Sequence, residues 1–251
     1  QPLAVYGKRL YVAYVSSLLK SVVNPTPGGL ALSGRSYEVF FRSHLPADLD
    51  APIADVGCGY GPLLHWLQQC GYKNSCGVDG SSEMAATAGR LGITGVTQGD
   101  AVSFLKERER GFERIFAIDV LEHLRKDEVL PFLDTCLAAL RPGGKLIIQT
   151  VNAEAFGWGR IRYGDFTHEN AFTPGSMSQV LLTCGFASPA SLPSRPCGNG
   201  FRALLRRLMW RVIEQGARIY LHAATGSGLI HSSHILTDNF ITCAQRPLSP
   251  R

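Results

Sequence analysis

From residue 52 to residue 151 the chain repeats one pattern, and that pattern restricts its fold more than anything else in it. Short apolar runs at 53–56, 75–78, 113–118 and 145–151 alternate with helical stretches at 62–70, 83–90 and 126–140. Glycine turns separate them, and a weaker run at 94–97 precedes Gly99-Asp100. Strands joined through helices pair in parallel, because each helix carries the chain back across a face of the sheet. An α/β fold with helices on both faces is therefore expected. Hydrophobic residues make up 45% of the chain and charged residues 18%, which suits a packed core and excludes wholesale disorder. The most apolar stretch, 10–23, is interrupted by Ser16, Ser17 and Lys20, which argues against a membrane span. Seven scattered cysteines without a C-x-x-C pair fit reduced thiols in a cytoplasmic protein. The chain opens at Gln1, which reads as a trimmed start, and carries no signal-peptide pattern.

The segment Asp55-Val56-Gly57-Cys58-Gly59-Tyr60-Gly61 lies between the first strand and the first helix of this pattern. Glycines there allow a tight turn and close approach of a ligand, and the helix start offers free N–H groups. The spacing is G-x-G-x-G, whereas a dinucleotide fingerprint is G-x-G-x-x-G, so a nicotinamide-dependent oxidoreductase is disfavoured. Asp79, Asp100 and Asp119 each follow a strand. Carboxyl ends of parallel strands line one crevice, and a carboxylate there can accept from vicinal ribose hydroxyls or an exocyclic amine. Taken singly, each aspartate is equally a helix cap or a solvated turn.

Together these segments resemble class I S-adenosylmethionine (SAM)-dependent methyltransferases. The resemblance rests on Ile53 to Gly61, Gly77-Val78-Asp79, Gly99-Asp100-Ala101, Asp119-Val120-Leu121-Glu122-His123-Leu124 and Leu140-Arg141-Pro142-Gly143-Gly144-Lys145. It implies a Rossmann-like, seven-stranded, mostly parallel sheet whose last strand, 239–246, is antiparallel. It also implies N-terminal helices and a helical insertion before that strand. The expected organisation is one domain: a helical cap over 1–45, a SAM-binding core over 46–192, a basic helical insertion over 193–233, and the last strand and tail over 234–251. Within the cap, helices are expected at 3–23 and 33–45. Residues 187–200, with three prolines and two glycines, read as a linker. By the resemblance, Gly57 to Gly61 flank the methionine part of SAM, and Asp55, Gly57, Cys58 and Gly59 are expected cofactor contacts. Asp79 and Gly80 hold the ribose, Asp100 and Ala101 meet the adenine, and Asp119 lies near the methionine amino group. Arg35 is directed toward the methionine carboxylate.

Methyl transfer from a sulfonium is an in-line displacement, so the protein aligns the acceptor and excludes water. A hydroxyl acceptor also gains from proton removal. The segment 164–174 follows the fifth strand and leads into a helix capped by Thr173 with Pro174 first. By resemblance to ubiquinone-pathway O-methyltransferases, its His168 is the expected base, with Asp119 as the second catalytic group. The alternative is that Asp165 and His168 cap the turn. Some relatives hold Mg²⁺, Mn²⁺ or Zn²⁺ on an E-x-x-E-H cluster with a later histidine, here Asp119, Glu122, His123 and His168. Asp119 replaces a longer glutamate, and the alternative is a structural role for Glu122 and His123.

Residues 194–220 carry Arg195, Arg202, Arg206, Arg207, Arg211 and Arg218 against Glu214 alone. Their net +5 equals that of the whole chain. Phe201, Leu204, Leu205, Leu208 and Val212 recur at helical spacing. A basic amphipathic helix over 201–220 suits an anionic membrane or a phosphate, placing the protein peripherally at the inner face of a membrane. The alternative is a helical cap with a solvated arginine face. Nucleic acid is not expected, since the arginines are confined to one segment. The stretch 163–186, this helix and the turn at Gly226 and Gly228 resemble methyltransferases of bacterial polysaccharide biosynthesis. The expected reaction is therefore methyl transfer from SAM to a hydroxyl of a sugar-containing acceptor, a glycan, glycolipid or nucleotide-sugar. The alternatives are a small-molecule or quinone-type O- or N-methyltransferase, and a SAM-binding or membrane-docked protein without turnover.

Overall fold

The computed structural model describes residues 25–198, 200–226 and 235–249. The helix expected at 3–23 and the glycine at 228 lie outside them. Among the described residues seven strands form one sheet in the order β3-β2-β1-β4-β5-β7-β6. They are β1 (Ile53–Val56), β2 (Ser75–Asp79), β3 (Val96–Gln98), β4 (Phe112–Ile118), β5 (Leu140–Val151), β6 (Ala187–Pro193) and β7 (Asn239–Gln245). The first five run parallel, and β7 runs antiparallel to both β5 and β6. The chain reverses direction across the sheet between β1 and β4, which opens a crevice at their carboxyl ends.

The helices, in chain order, are α1 (Pro27–Phe40), α2 (Pro62–Gln69), α3 (Ser82–Arg90), α4 (Ala101–Lys106), α5 (Lys126–Ala139), α6 (Trp158–Arg162), α7 (Pro174–Thr183) and α8 (Phe201–Thr225). Strand β4 shows why both faces are covered. Its Ile115 and Ala117 join a core with Leu105, Phe132, Leu133 and Met177 from α4, α5 and α7. Its Phe116 joins the opposite core with Leu63, Leu64 and Leu67 of α2 and Phe41. The strand's period of two thus sends consecutive residues into two apolar layers.

Two segments differ from their sequence reading. The helix expected at 33–45 starts at Pro27 instead. Thr26 caps it, its hydroxyl accepting from Gly29 N–H at 3.1 Å, and Pro27 occupies the first turn, where its missing N–H costs nothing. The glycine-proline cluster there initiates a helix rather than separating two. Residues 187–193 are a strand, not a linker. β6 is an edge strand, the place where prolines such as Pro189 and Pro193 are tolerated. Its register shifts between Ala187 and Ala190, where Ser188 has φ 50°.

Candidate active site

Backbone geometry builds the end of the crevice over β1 and β2. Gly57 (φ 70°) and Gly61 (φ 84°) adopt left-handed conformations. A Cβ on Gly57 would lie 2.5 Å from Val120, and one on Gly61 would lie 2.9 Å from Ile93 and Val96. Gly59 (φ 54°) differs: a Cβ there, or on Gly80, would meet open space. Gly59 N–H donates to Asp79 Oδ2 at 2.9 Å and Ser81 N–H to Oδ1 at 2.8 Å. Asp79 therefore pins the glycine loop to the end of β2. Burial raises its carboxyl above the usual range, while these two donors oppose the rise. Asp55 is buried beneath the loop, and burial, then the Asp79 charge, pushes its carboxyl well up. Burial also raises the Cys58 thiol, which argues for packing rather than reactivity.

Asp100 caps α4, its Oδ1 accepting from Ser103 N–H at 2.8 Å and Ser103 Oγ–H at 2.9 Å. Ala101 opens that helix. Asp119, at the end of β4, has φ 54°, an uncommon conformation for a residue with a side chain. Its carboxylate accepts from Gln149 Nε2 at 3.1 Å and from Asn239 Nδ2 at 3.4 Å. Crowding by protein pushes this carboxyl up to about 6, with the Gln149 bond opposing. The residue nevertheless opens onto solvent, which offsets part of that rise. Tyr37 of α1 was not singled out in the sequence, yet its phenol faces the carboxylates of Asp55 and Asp119. Burial, then those charges, raises its pKa. Arg35, two residues earlier, is exposed.

On the other side, long-range contacts join the β4–α5 turn to the segment after β5. Glu169 N–H and Asn170 N–H both donate to the Glu122 carbonyl, at 2.7 and 3.0 Å, and Asn170 Nδ2 donates to the Leu124 carbonyl. Thr167 Oγ1–H donates to Asp165 Oδ1 at 2.7 Å. Its oxygen, 2.9 Å from His123 Nδ1, is then left to accept from that ring. The His123 and His168 rings meet edge to face at 4.8 Å. His168 Nδ1 lies 3.0 Å from the Ile161 carbonyl, and a carbonyl only accepts, so Nδ1 carries the hydrogen. The neutral ring then presents Nε2 as a lone pair, 3.9 Å from Asp165 Oδ2. Burial lowers His168 below the usual imidazole range, with the Asp165 charge opposing. Burial, with His168 adding to it, brings His123 down to about 4.

The four-residue metal set is not what the structure assembles. Among the described residues, the potential metal-ligand side chains that converge are His123, Asp165 and His168, whose ligand atoms lie within 4.8 Å of one another. Glu122 is buried and accepts from Thr150 Oγ1–H at 2.9 Å, and burial raises its carboxyl well above the usual range. Asp119 is held by Gln149 instead.

A sequence profile described as a methyltransferase domain matches residues 39–188, more than half of the chain. The chain belongs to the SAM-dependent methyltransferase family. Among curated proteins, this methyltransferase is 33% identical over 104 residues to a ubiquinone biosynthesis O-methyltransferase of Bradyrhizobium sp., covering 40% of each chain. It is 26% identical over 154 residues to the mitochondrial enzyme of that name from Rattus norvegicus, covering 54% of this chain and 44% of the other. These matches thus span under half of the relatives' length. Its fold is that of a SAM-dependent methyltransferase from Archaeoglobus fulgidus, with TM-score 0.64, 18% identity, and 86% and 94% of the two chains covered. The Haemonchus contortus phosphoethanolamine N-methyltransferase 2 solved with SAM superposes with TM-score 0.63 at 19% identity, covering 98% of this chain and 61% of that one. The strand order and the antiparallel β7 agree with the seven-stranded sheet expected from the sequence. Asp165, Thr167 and Gln149 complete the candidate site. Of these, only Asp165 carried a signal in the sequence, its spacing from His168.

Proposed function

We propose that this methyltransferase transfers a methyl group from SAM to a hydroxyl oxygen of a quinone-type small molecule. The observation that carries the reading is the tautomer of His168, whose Nδ1–H is committed to the Ile161 carbonyl at 3.0 Å. The cradle suits the cofactor: Gly59 and Gly80 leave open space beside the half-buried Asp79 carboxylate. When bound, SAM supplies a sulfonium methyl, which passes to the acceptor oxygen as the C–S electron pair returns to sulfur. In this reading Asp55, Gly57, Cys58 and Gly59 line the methionine end, and Asp79 with Gly80 holds the ribose. Asp119 faces the methionine ammonium. Asp100 has committed Oδ1 to Ser103, so a contact to adenine falls to Oδ2, beside Ala101.

His168 takes the acceptor's hydroxyl proton at Nε2, and the nearby Asp165 carboxylate stabilises the imidazolium that results. Thr167 and its bond to His123 keep Asp165 in place. A lowered imidazole pKa matches a phenolic hydroxyl, of pKa about 10, better than a less acidic sugar hydroxyl. The names of the curated relatives support the same class over the sugar-containing acceptor expected from the sequence. The test is a transfer assay with labelled SAM over matched phenolic and sugar acceptors, with mass detection of the product. Methylation of the phenol alone is expected; methylation of the sugar alone would overturn the acceptor class.

A further inference from the structure

Helix α8 turns its apolar side away from the protein. Its inward residues are Glu214 and Ala217, both buried, together with Trp210. Glu214 is tied to Arg195 at 3.4 Å, which seats the helix through a polar contact. At 3.6 residues per turn the opposite pole passes through Phe201, Leu208, Val212 and Ile219. Phe201 is 78% exposed, Val212 73% and Ile219 64%. The exposed Arg202 and Arg211 border this stripe on opposite sides, with the exposed Arg206 and Arg207 further round the helix, whereas Arg218 turns inward and its Nε is buried. A helix that merely caps a domain in water has the reverse polarity.

We propose that α8 docks the protein on an anionic lipid bilayer, with the Phe201–Val212–Ile219 stripe in the headgroup boundary and the flanking arginines on lipid phosphates. Charge complementarity decides the occupant. Four exposed arginines around one apolar stripe repel a second copy of the same surface but match a negatively charged leaflet. Their aliphatic stems lie along the stripe while the guanidinium groups reach outward. No described helix is long and apolar enough to cross a membrane. Arg202 and Arg206 also line a cavity of about 400 Å³ that includes Trp210 and Asp238. Asp238 adjoins Asn239, whose amide reaches Asp119 at 3.4 Å. Docking therefore sets this cavity beside the lipid and next to the crevice.

The test is co-sedimentation of the full chain with vesicles of equal parts phosphatidylcholine and phosphatidylglycerol, and with vesicles of phosphatidylcholine alone. The wild type is expected to bind the anionic vesicles at least tenfold better, with the preference fading in high salt. Changing Arg202, Arg206 and Arg207 to Gln is expected to cost at least tenfold, at roughly fivefold per arginine near an anionic surface. Changing Phe201, Val212 and Ile219 to Asp is expected to abolish binding. An unchanged melting temperature and unchanged S-adenosylhomocysteine affinity show that both variants are folded. No wild-type binding, or either variant binding like the wild type, overturns the proposal. So does a wild-type dimer that the aspartate variant dissolves while no vesicle is bound, since the occupant is then a second copy. Binding is read without acceptor, so its failure leaves the methyl-transfer reading standing, and the converse holds.

Discussion

The two ends of the crevice are built from different materials. Over β1 and β2, short-range backbone makes the site: three glycines at positive φ, and an aspartate bonded to N–H groups 20 and two residues away. Over β4 and β5, side chains distant in sequence make it. Thr167 reaches His123 across 44 residues, and Asn170 reaches Leu124 across 46. The first end has its shape before a ligand arrives and tolerates little added volume. The second has its chemistry set by burial and by which proton sits on which nitrogen, so single substitutions there alter turnover more than folding.

The largest expected effect tests the rigidity of the glycine end. Gly57→Val places Cβ 2.5 Å from Val120 at φ 70°, and a β-branched residue cannot relax there. The change should destabilise the fold by about 4 kcal/mol or more, read by denaturant unfolding. Gly59→Ala, whose Cβ meets open space, should fold and instead weaken S-adenosylhomocysteine binding. Equal stability losses in the two variants would erase the distinction between a packed glycine and a cradle glycine.

The next effect probes the opposite end. His168→Ala should lower kcat by about 10²–10⁴-fold while leaving S-adenosylhomocysteine affinity unchanged. Chelator treatment of the wild type should leave turnover within about twofold, since in this reading His168 takes the acceptor proton directly. Full activity in His168→Ala would remove the base, and activity lost to chelator and restored by Mg²⁺ or Mn²⁺ would move the chemistry to a metal. In the wild type, log kcat should rise with pH through a pKa below the ordinary histidine value and level off before neutrality.

Asp79→Ala removes the proposed ribose acceptor and the pin on Gly59 together. Isothermal titration with S-adenosylhomocysteine should show a loss of about 2–3 kcal/mol with the fold retained. Unchanged affinity would detach Asp79 from the cofactor.

The smallest effect concerns stability at acid pH. His123 has its folded pKa lowered to about 4. It contributes stability above its unfolded value, and that contribution is lost as pH falls through 6.5 toward 4. Asp119, raised to about 6, works in the opposite sense: its ionisation costs stability as pH rises through 6, but its solvent contact shrinks that cost. Acidification from pH 7 to 4 should therefore destabilise the wild type by on the order of 2 kcal/mol more than His123→Gln. Thermal melts of the two proteins in parallel would show it, and identical pH profiles would mean that His123 is not buried in solution.

The glycine end was legible from the chain alone because its determinants are local. The G-x-G-x-G spacing, the strand before it and the proline-started helix after it fall within about 20 residues, where backbone sterics decide the outcome. The Thr173 cap and Pro174 helix start were legible for the same reason. The edge strand β6 was not. Its prolines read as a linker, and only pairing with β7 from 50 residues onward shows that they lie on an outer edge. Thr26 and Pro27 similarly read as a break, although the same residues cap a helix once its first turn forms.

From the sequence alone come the parallel α/β core, the family resemblance, the candidate cofactor-side residues and the identity of His168 as the histidine to test. Each follows from local periodicity, turn chemistry and ordered motifs. Tertiary structure alone decided that Glu122 turns to Thr150, that Asp165 joins the two histidines, and which ring nitrogen of His168 carries the proton. It also decided that the apolar face of α8 points outward. Helical spacing shows that a helix has two faces, but which one meets the protein depends on what the rest of the fold presents to it.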